Sequence, residues 1–431
     1  MLRLIVSDLT ANARVWLGAL LIAAAAATVG AMVASDIETA LSAGGTTALA
    51  LYGISGTIAA LTVITALIVV GTVTTLTVTL QQRAYALWQL IGLTPARIRL
   101  IVTTQLLAVS LLGAVLGCAA ALPILQPLYA YAFTGSPDLS ALHPRFTLSG
   151  ALPVILFVAV VITIGGSRAA GRAAHTPPIQ SLREASLPAR RMTPARWLTG
   201  SLAVAIIAAI TASLPGSTSP AVPLTLIAPL TAGVLVSFGP LFLPGFVRAW
   251  TSVLPPTASA AWYLARNATA TRGGATIGPL VVAVALAGGL FAADGASSQG
   301  SSTLTTGAVV LLIGGPLLLA VLGSVATIFM SSRRREREFA LLVAAGGTPG
   351  LILLAAASEA VIYVGTALLL GLFSVAVTSV VGAWATHAWS WAGVMPSLTV
   401  AVASLLLVLT ATVLPAYAGL RQRVTRVLAA E

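Results

Sequence analysis

The chain has 431 residues, 58% of them hydrophobic and only 7% charged, with a net charge of +12. A soluble globular domain carries roughly 25% charged residues, and a disordered chain is poor in apolar residues, so both classes are excluded. All 22 basic residues are Arg, which excludes lysine chemistry such as a Schiff base, a PLP anchor or a Walker A phosphate loop.

A membrane-spanning helix needs about 20 mostly apolar residues. Ten stretches qualify: 15–35, 52–80, 99–125, 149–167, 197–214, 221–247, 276–293, 305–331, 350–379 and 397–418. The runs are continuous rather than alternating, which argues against a β-barrel. Arg3 and Arg14 precede a long apolar run without a small-residue cleavage site, so the first run reads as a span and not as a signal peptide. The expected fold is an all-α polytopic membrane protein of ten transmembrane helices. Its expected parts are a four-helix unit at 1–195, a middle pair at 196–247 and a second four-helix unit at 248–431.

With the N-terminus in the cytoplasm and alternating sides, every arginine except Arg145 falls on the inner side, while Asp36, Glu38, Asp138 and Asp294 fall outside. That is the positive-inside pattern, and it predicts an even span count with both termini cytoplasmic. The positive charge is thus a topology signal, and no nucleic-acid partner is expected. The longest outer loops, 126–148 and 380–396, carry Tyr129, Tyr131 and Phe133, and Trp384, Trp389 and Trp391. These read as an interfacial aromatic belt, or alternatively as a lining for an amphipathic substrate.

Two inner segments repeat at an offset of 254. Gln82-Arg-Ala-Tyr-Ala-Leu-Trp-Gln-Leu-Ile-Gly-Leu-Thr-Pro95 matches Glu336-Arg-Glu-Phe-Ala-Leu-Leu-Val-Ala-Ala-Gly-Gly-Thr-Pro349. The register continues through Ile98/Ile352, Gln105/Glu359 and Gly117/Gly371. Parallel repeats of this kind build pseudo-symmetric transport proteins. Each segment reads as a short amphipathic helix on the inner face. Gly92 or Gly346 suits its C-terminus, and Thr94 or Thr348 caps the next helix, whose first residue is proline.

At these residues the chain resembles the FtsX-like permease family, the membrane subunits of MacB-type ABC transporters. Gln82, Arg83, Tyr85, Ala86, Leu87, Gly92 and Thr94 fit the family's elbow pattern, as do Glu336, Arg337, Phe339, Ala340, Leu341, Gly346, Thr348 and Glu359. Gln105 replaces the glutamate in the first copy, and Pro178 to Leu182-Arg183 resembles the family's arginine-rich tail. The resemblance implies that 82–95 and 336–349 are coupling helices docking a separate cytoplasmic ATPase, two copies per chain, with ATP and Mg bound by that partner. It also implies a place in the bacterial plasma membrane and export or extraction of an amphipathic compound (a drug, antimicrobial peptide or lipid) by mechanotransmission. The ten-span form resembles the bacitracin-resistance type of permease. One departure stands out: the loops at 36–51 and 294–304 are too short for an extracytoplasmic domain. The rivals are a signalling permease that activates an outside partner without transport, and an ion-driven secondary transporter.

No catalytic site, metal site or resident cofactor is expected on this chain. His143, His175 and His387 are far apart, and Cys118 reads as a packing residue. Two readings stand for Glu359: a functional intramembrane acid, or an interfacial partner of the Arg333–Arg337 cluster. Gly113, Gly117, Gly365 and Gly371 read as close-packing sites rather than hinges. The segment from Ala261 reads as an inner surface helix, with Asp8 to Arg14 as its counterpart.

Overall fold

The computed structural model describes residues 13–133, 144–175, 192–215, 220–255, 259–298, 305–344 and 346–420. Within these, only the backbone is described at 13–14, 46–47, 50, 83, 168–169, 172–175, 272, 332–340, 344 and 418–419. The expected tail motif at 178–183 and the counterpart helix at 8–12 lie outside the described residues.

The elements are α1 (Ala13–Ala43), α2 (Gly45–Leu80), α3 (Gln82–Leu90), α4 (Pro95–Ala132), α5 (Leu148–His175), α6 (Pro194–Ser213) and α7 (Ala221–Trp250). A 3-10 turn, Thr251–Val253, leads to α8 (Ala260–Arg272), α9 (Gly274–Ser297), α10 (Thr306–Ala344), α11 (Pro349–Thr386) and α12 (Val394–Leu420). Among the described residues there is no strand, and ten helices are long and apolar enough to cross a membrane. The chain is an all-α, multi-pass membrane protein.

Several helices run past the apolar stretches that announce them. The helix α1 extends to Ala43, so Asp36 and Glu38 lie in a helix and not in an outer loop. Asp294 likewise belongs to α9. A polar side chain does not end a helix when its backbone bonds are kept. What ends α1 is Gly44 and Gly45, whose φ angles of 69° and 61° lie in the left-handed region that glycine enters without strain. The link between α1 and α2 is therefore a single residue. The helix α4 runs to Ala132, and its Tyr129 and Phe133 at its C-cap are buried, not members of an exposed belt. Trp384, Trp389 and Trp391 are exposed, as that belt requires.

The chain divides into two compact units. Unit 1 contains α1 to α5 and the part of α10 up to Gly323. Its most extensive pairing is α1 with α4. A Cβ placed on Gly113 of α4 would lie 2.6 Å from Ala23 Cβ and 2.8 Å from the Leu20 carbonyl oxygen. Gly117, one turn on, meets Ala24 and Ala27. The Thr28 hydroxyl reaches across this crossing to the Gly117 carbonyl at 3.0 Å. Lipid offers no hydrophobic gain for burying one apolar helix on another, so small residues that admit close backbone approach carry such a contact.

Unit 2 contains α6 to α9, α10 from Ser324, α11 and α12. The middle pair α6–α7 belongs to it. Its centre is α9, 20 of whose 24 residues are buried, and α9 pairs chiefly with α11. Gly371 packs on Val284 of α9, and Gly288 of α9 meets Val375 and Ser397. Gly365 packs on the Trp250 ring. Gly113, Gly117, Gly365 and Gly371 are thus all contact residues. The helix α6 is at the other extreme: of its 20 residues Gly200 alone is buried, and its neighbour is α7.

Candidate functional site

The repeated segments form the same backbone corner twice. In the first copy the Gly92 N–H donates to the Gln89 carbonyl at 3.0 Å and the Leu93 N–H donates to the Trp88 carbonyl at 3.1 Å. In the second, Gly346 N–H donates to Val343 at 3.0 Å and Gly347 N–H donates to Leu342 at 2.8 Å. This is the Schellman arrangement, which needs a left-handed residue just past the helix. Gly92 and Gly346 supply it with φ of 96° and 91°. The chain then turns extended at Thr94 (φ −70°, ψ 150°) and Thr348 (φ −77°, ψ 151°), and Pro95 or Pro349 starts the next helix. The Thr348 hydroxyl accepts from the Leu351 N–H at 3.3 Å, whereas Thr94 makes no side-chain cap bond.

The approach to the corner differs between copies. In the first, the chain breaks at Gln81 (φ −98°, ψ 0°) and α3 is a separate helix of 9 residues. In the second, the elbow is the end of α10, a continuous helix from Thr306 to Ala344, so the expectation of a separate short helix there is corrected. Local chemistry accounts for the difference. The last turns of α2 carry Thr72, Thr74, Thr75, Thr77 and Thr79, each donating its hydroxyl to the carbonyl four residues back. Such bonds compete with the helix ladder. The corresponding stretch of α10, 326–333, has one Thr and two Ser in place of those five threonines, and the run that follows, 333–344, is rich in Arg, Glu, Leu and Ala, which favour helix.

The expected docking residues separate into two groups. Tyr85 is fully buried and donates its hydroxyl to Gln81 Oε1, anchoring α3 inside unit 1. Its ring meets Trp88 at 5.5 Å. Gln82 is half-buried, while Leu87, Gly92 and Thr94 are exposed. Leu87 (46%) continues into Leu90 and Ile91 (60% and 82%), an exposed apolar run just before the corner, with exposed Arg97 and Arg99 just after it. In the second copy Leu341 is 60% exposed, and Gly346 and Thr348 are exposed. Glu336, Arg337 and Phe339 lie on the last turns of α10, and Arg83 lies on α3; their side chains, and those of Arg333–Arg335, are outside the described set.

Glu359 is half-buried on α11 and accepts from the Tyr363 hydroxyl at 2.7 Å. Tyr363 is buried against Gly273, at the junction of α8 and α9. The α8 helix exists as read from the sequence and is tied down at several points. Trp262 donates to the Thr251 carbonyl at 3.2 Å, and Arg266 donates to the Arg248 carbonyl at 2.7 Å. Trp250, against Trp262 at 6.4 Å, donates its ring N–H to Thr366 Oγ1 at 3.0 Å. Glu359 thus belongs to a polar and aromatic knot joining α7, α8 and α11. Its counterpart in unit 1, Gln105, is fully buried.

Sequence reasoning missed Gln81, the Trp250 knot and a buried acid. Asp36 of α1 is 1% exposed, and its Oδ1 accepts from the Tyr129 hydroxyl of α4. Periodicity could have found it, since Val29, Thr39 and Ala40, at helical spacings of seven, three and four, are buried with it. Glu38, by contrast, turns to the start of α5, accepting from the Thr147 N–H at 2.8 Å and from the hydroxyls of Thr147 and Ser149.

Ten apolar helices among the described residues and a corner used twice define a multi-pass membrane protein with a repeated elbow. Residues 56–178, from within α2 to just past α5, match the family model described as FtsX-like permease C-terminal. That stretch of the chain is similar to an FtsX-like permease domain, which supports a permease subunit of the ABC type. Among curated proteins, none matches the chain. The second copy of the corner, 254 residues on, has the backbone geometry of the first.

Proposed function

We propose that the chain is a MacB-type ABC permease whose two elbows receive a separate cytoplasmic ATPase, one copy at each. The observation that carries this reading is the repeated corner, with its exposed apolar residues Leu87, Ile91 and Leu341 beside it. Contiguous exposed apolar surface next to basic residues is suited to a protein partner. ATP and Mg belong to that partner. Closure of the ATPase pair pushes the elbows, and α4 and α11, which start at the corners, carry the displacement across the membrane.

The substrate in this reading is an amphipathic compound taken from the bilayer. The single-residue link at Gly44 supports transport over signalling, because it leaves no chain between α1 and α2 for a domain that would grip an outside partner. Both termini are cytoplasmic and the membrane is the bacterial plasma membrane.

Co-purification with the candidate ATPase tests the proposal. Two ATPase copies per chain are expected, with loss of binding in Leu87→Glu/Leu341→Glu and in Arg83→Glu/Arg337→Glu while the permease remains folded. Binding that ignores both pairs of substitutions would remove the coupling role.

A further inference from the structure

The two elbows share a corner but not the joint that leads into it. In the last turns of α2 five threonine hydroxyls donate to the carbonyls four residues back, the last being Thr79 to Thr75 at 2.7 Å. Each such bond adds a second donor to a carbonyl that the helix ladder already uses, and helices bend where side chains enter the ladder in this way. At Gln81 the ladder slips: its N–H donates to the Val78 carbonyl, three residues back, at 3.2 Å. The Gln81 side chain is buried; its Oε1 accepts from the Tyr85 hydroxyl, and its Nε2 has no hydrogen-bond partner.

A buried donor left unmade raises the energy of this arrangement relative to any neighbouring one in which it is paired. The joint therefore lacks the single deep well of a helix interior. The Tyr85 hydroxyl ties its two sides together. Beyond it, α3 rests on α2, α4 and α5 instead of prolonging α2. The second elbow has no such joint, because Thr306–Ala344 is one helix of 39 residues. Bending that helix means giving up bonds of its own backbone ladder.

We propose that the two elbows are mechanically unequal: the second moves as one body with α10, and the first pivots at Gln81 independently of α2. The source of the push rests on the docking reading above; the inequality does not. A displacement of Leu341 is carried along α10 and, through the corner, to α11. A displacement of Leu87 is taken up at Gln81 and does not travel along α2. It passes to α4 through the corner and to α5 through its contact with α3. One partner bound twice thus drives different helices at the two elbows, α10 and α11 at one, α4 and α5 at the other.

The test uses the full chain in lipid nanodiscs, without an ATPase, in a Cys118→Ser background. Spin labels at Leu67 and Leu90 straddle the Gln81 joint, and labels at Leu318 and Leu341 lie within α10. All four positions are exposed, and each pair is 23 residues apart. An unbroken helix of that length separates the two Cα atoms by about 35 Å. The α10 pair should give one narrow distance distribution near that spacing, and the α2–α3 pair a shorter and broader one. Tyr85→Phe removes the tie across the joint, so it should broaden the α2–α3 distribution further and leave the α10 pair unchanged. The proposal is overturned if the two pairs agree in mean and width, or if the α10 pair is the broader. It is equally overturned if Tyr85→Phe leaves the α2–α3 distribution as it was. Failure of the ATPase to bind in co-purification would remove the source of the push without altering these distances, so the two failures are distinguishable.

Discussion

Gly92 and Gly346 adopt the same left-handed conformation, φ 96° and 91°, at equivalent points of two elbows 254 residues apart. A Cβ on either would meet no heavy atom within 4 Å, so steric crowding does not explain the glycine. The backbone conformation does. An L residue held there is strained by about 1–2 kcal/mol.

Gly92→Ala and Gly346→Ala are therefore each expected to destabilise the corner by about 1 kcal/mol. Asn, which tolerates the left-handed region, should cost less. Hydrogen exchange at the amides of Gly92, Leu93, Gly346 and Gly347 is the measurement. Equal exchange in the Ala and Asn variants would contradict the conformational explanation.

The α1–α4 crossing gives a contrast between two glycines. Gly117→Ala inserts a methyl where Ala24 and Ala27 already sit, and overpacking of this kind costs about 1–3 kcal/mol. Gly71→Ala, on α2 with open space around it, should be neutral or stabilising by up to about 1 kcal/mol. Thermal unfolding of the two variants in one detergent compares them directly.

Tyr85→Phe removes the donor to Gln81 and leaves a buried carboxamide oxygen without it. The expected cost is about 1–3 kcal/mol, from leaving a buried acceptor unsatisfied. The loosening should be confined to α3, read as faster exchange at 82–90, with the amides of α9 unchanged.

Trp250→Phe removes the hydrogen bond to Thr366 and keeps most of the ring that packs on Gly365. A loss of about 1 kcal/mol is expected. Thr366→Val removes the other partner, and the double variant should cost less than the sum of the two, as a double-mutant cycle for one shared bond requires. Strict additivity would mean that the bond contributes nothing in the folded protein.

Much of the elbow was legible in the sequence because its parts are local. Glycine followed two residues later by Thr-Pro dictates a helix end, an extended residue and a new helix start, whatever surrounds them. The repeat was visible for the same reason, and so was each apolar run long enough to span a bilayer. The break at Gln81 was less legible, since it depends on how several threonine hydroxyls compete for backbone carbonyls.

The sequence by itself determined the class, the number of spans and the place of both corners, since those depend on composition and short-range backbone preference. The tertiary structure alone decided which polar groups are enclosed. Asp36 and Glu38 are two residues apart on one helix, yet one faces Tyr129 inside unit 1 and the other caps the start of α5. Helical rotation of roughly 100° per residue sets them on different faces. Which of those faces meets α4 depends on the glycines of a helix about eighty residues away in sequence.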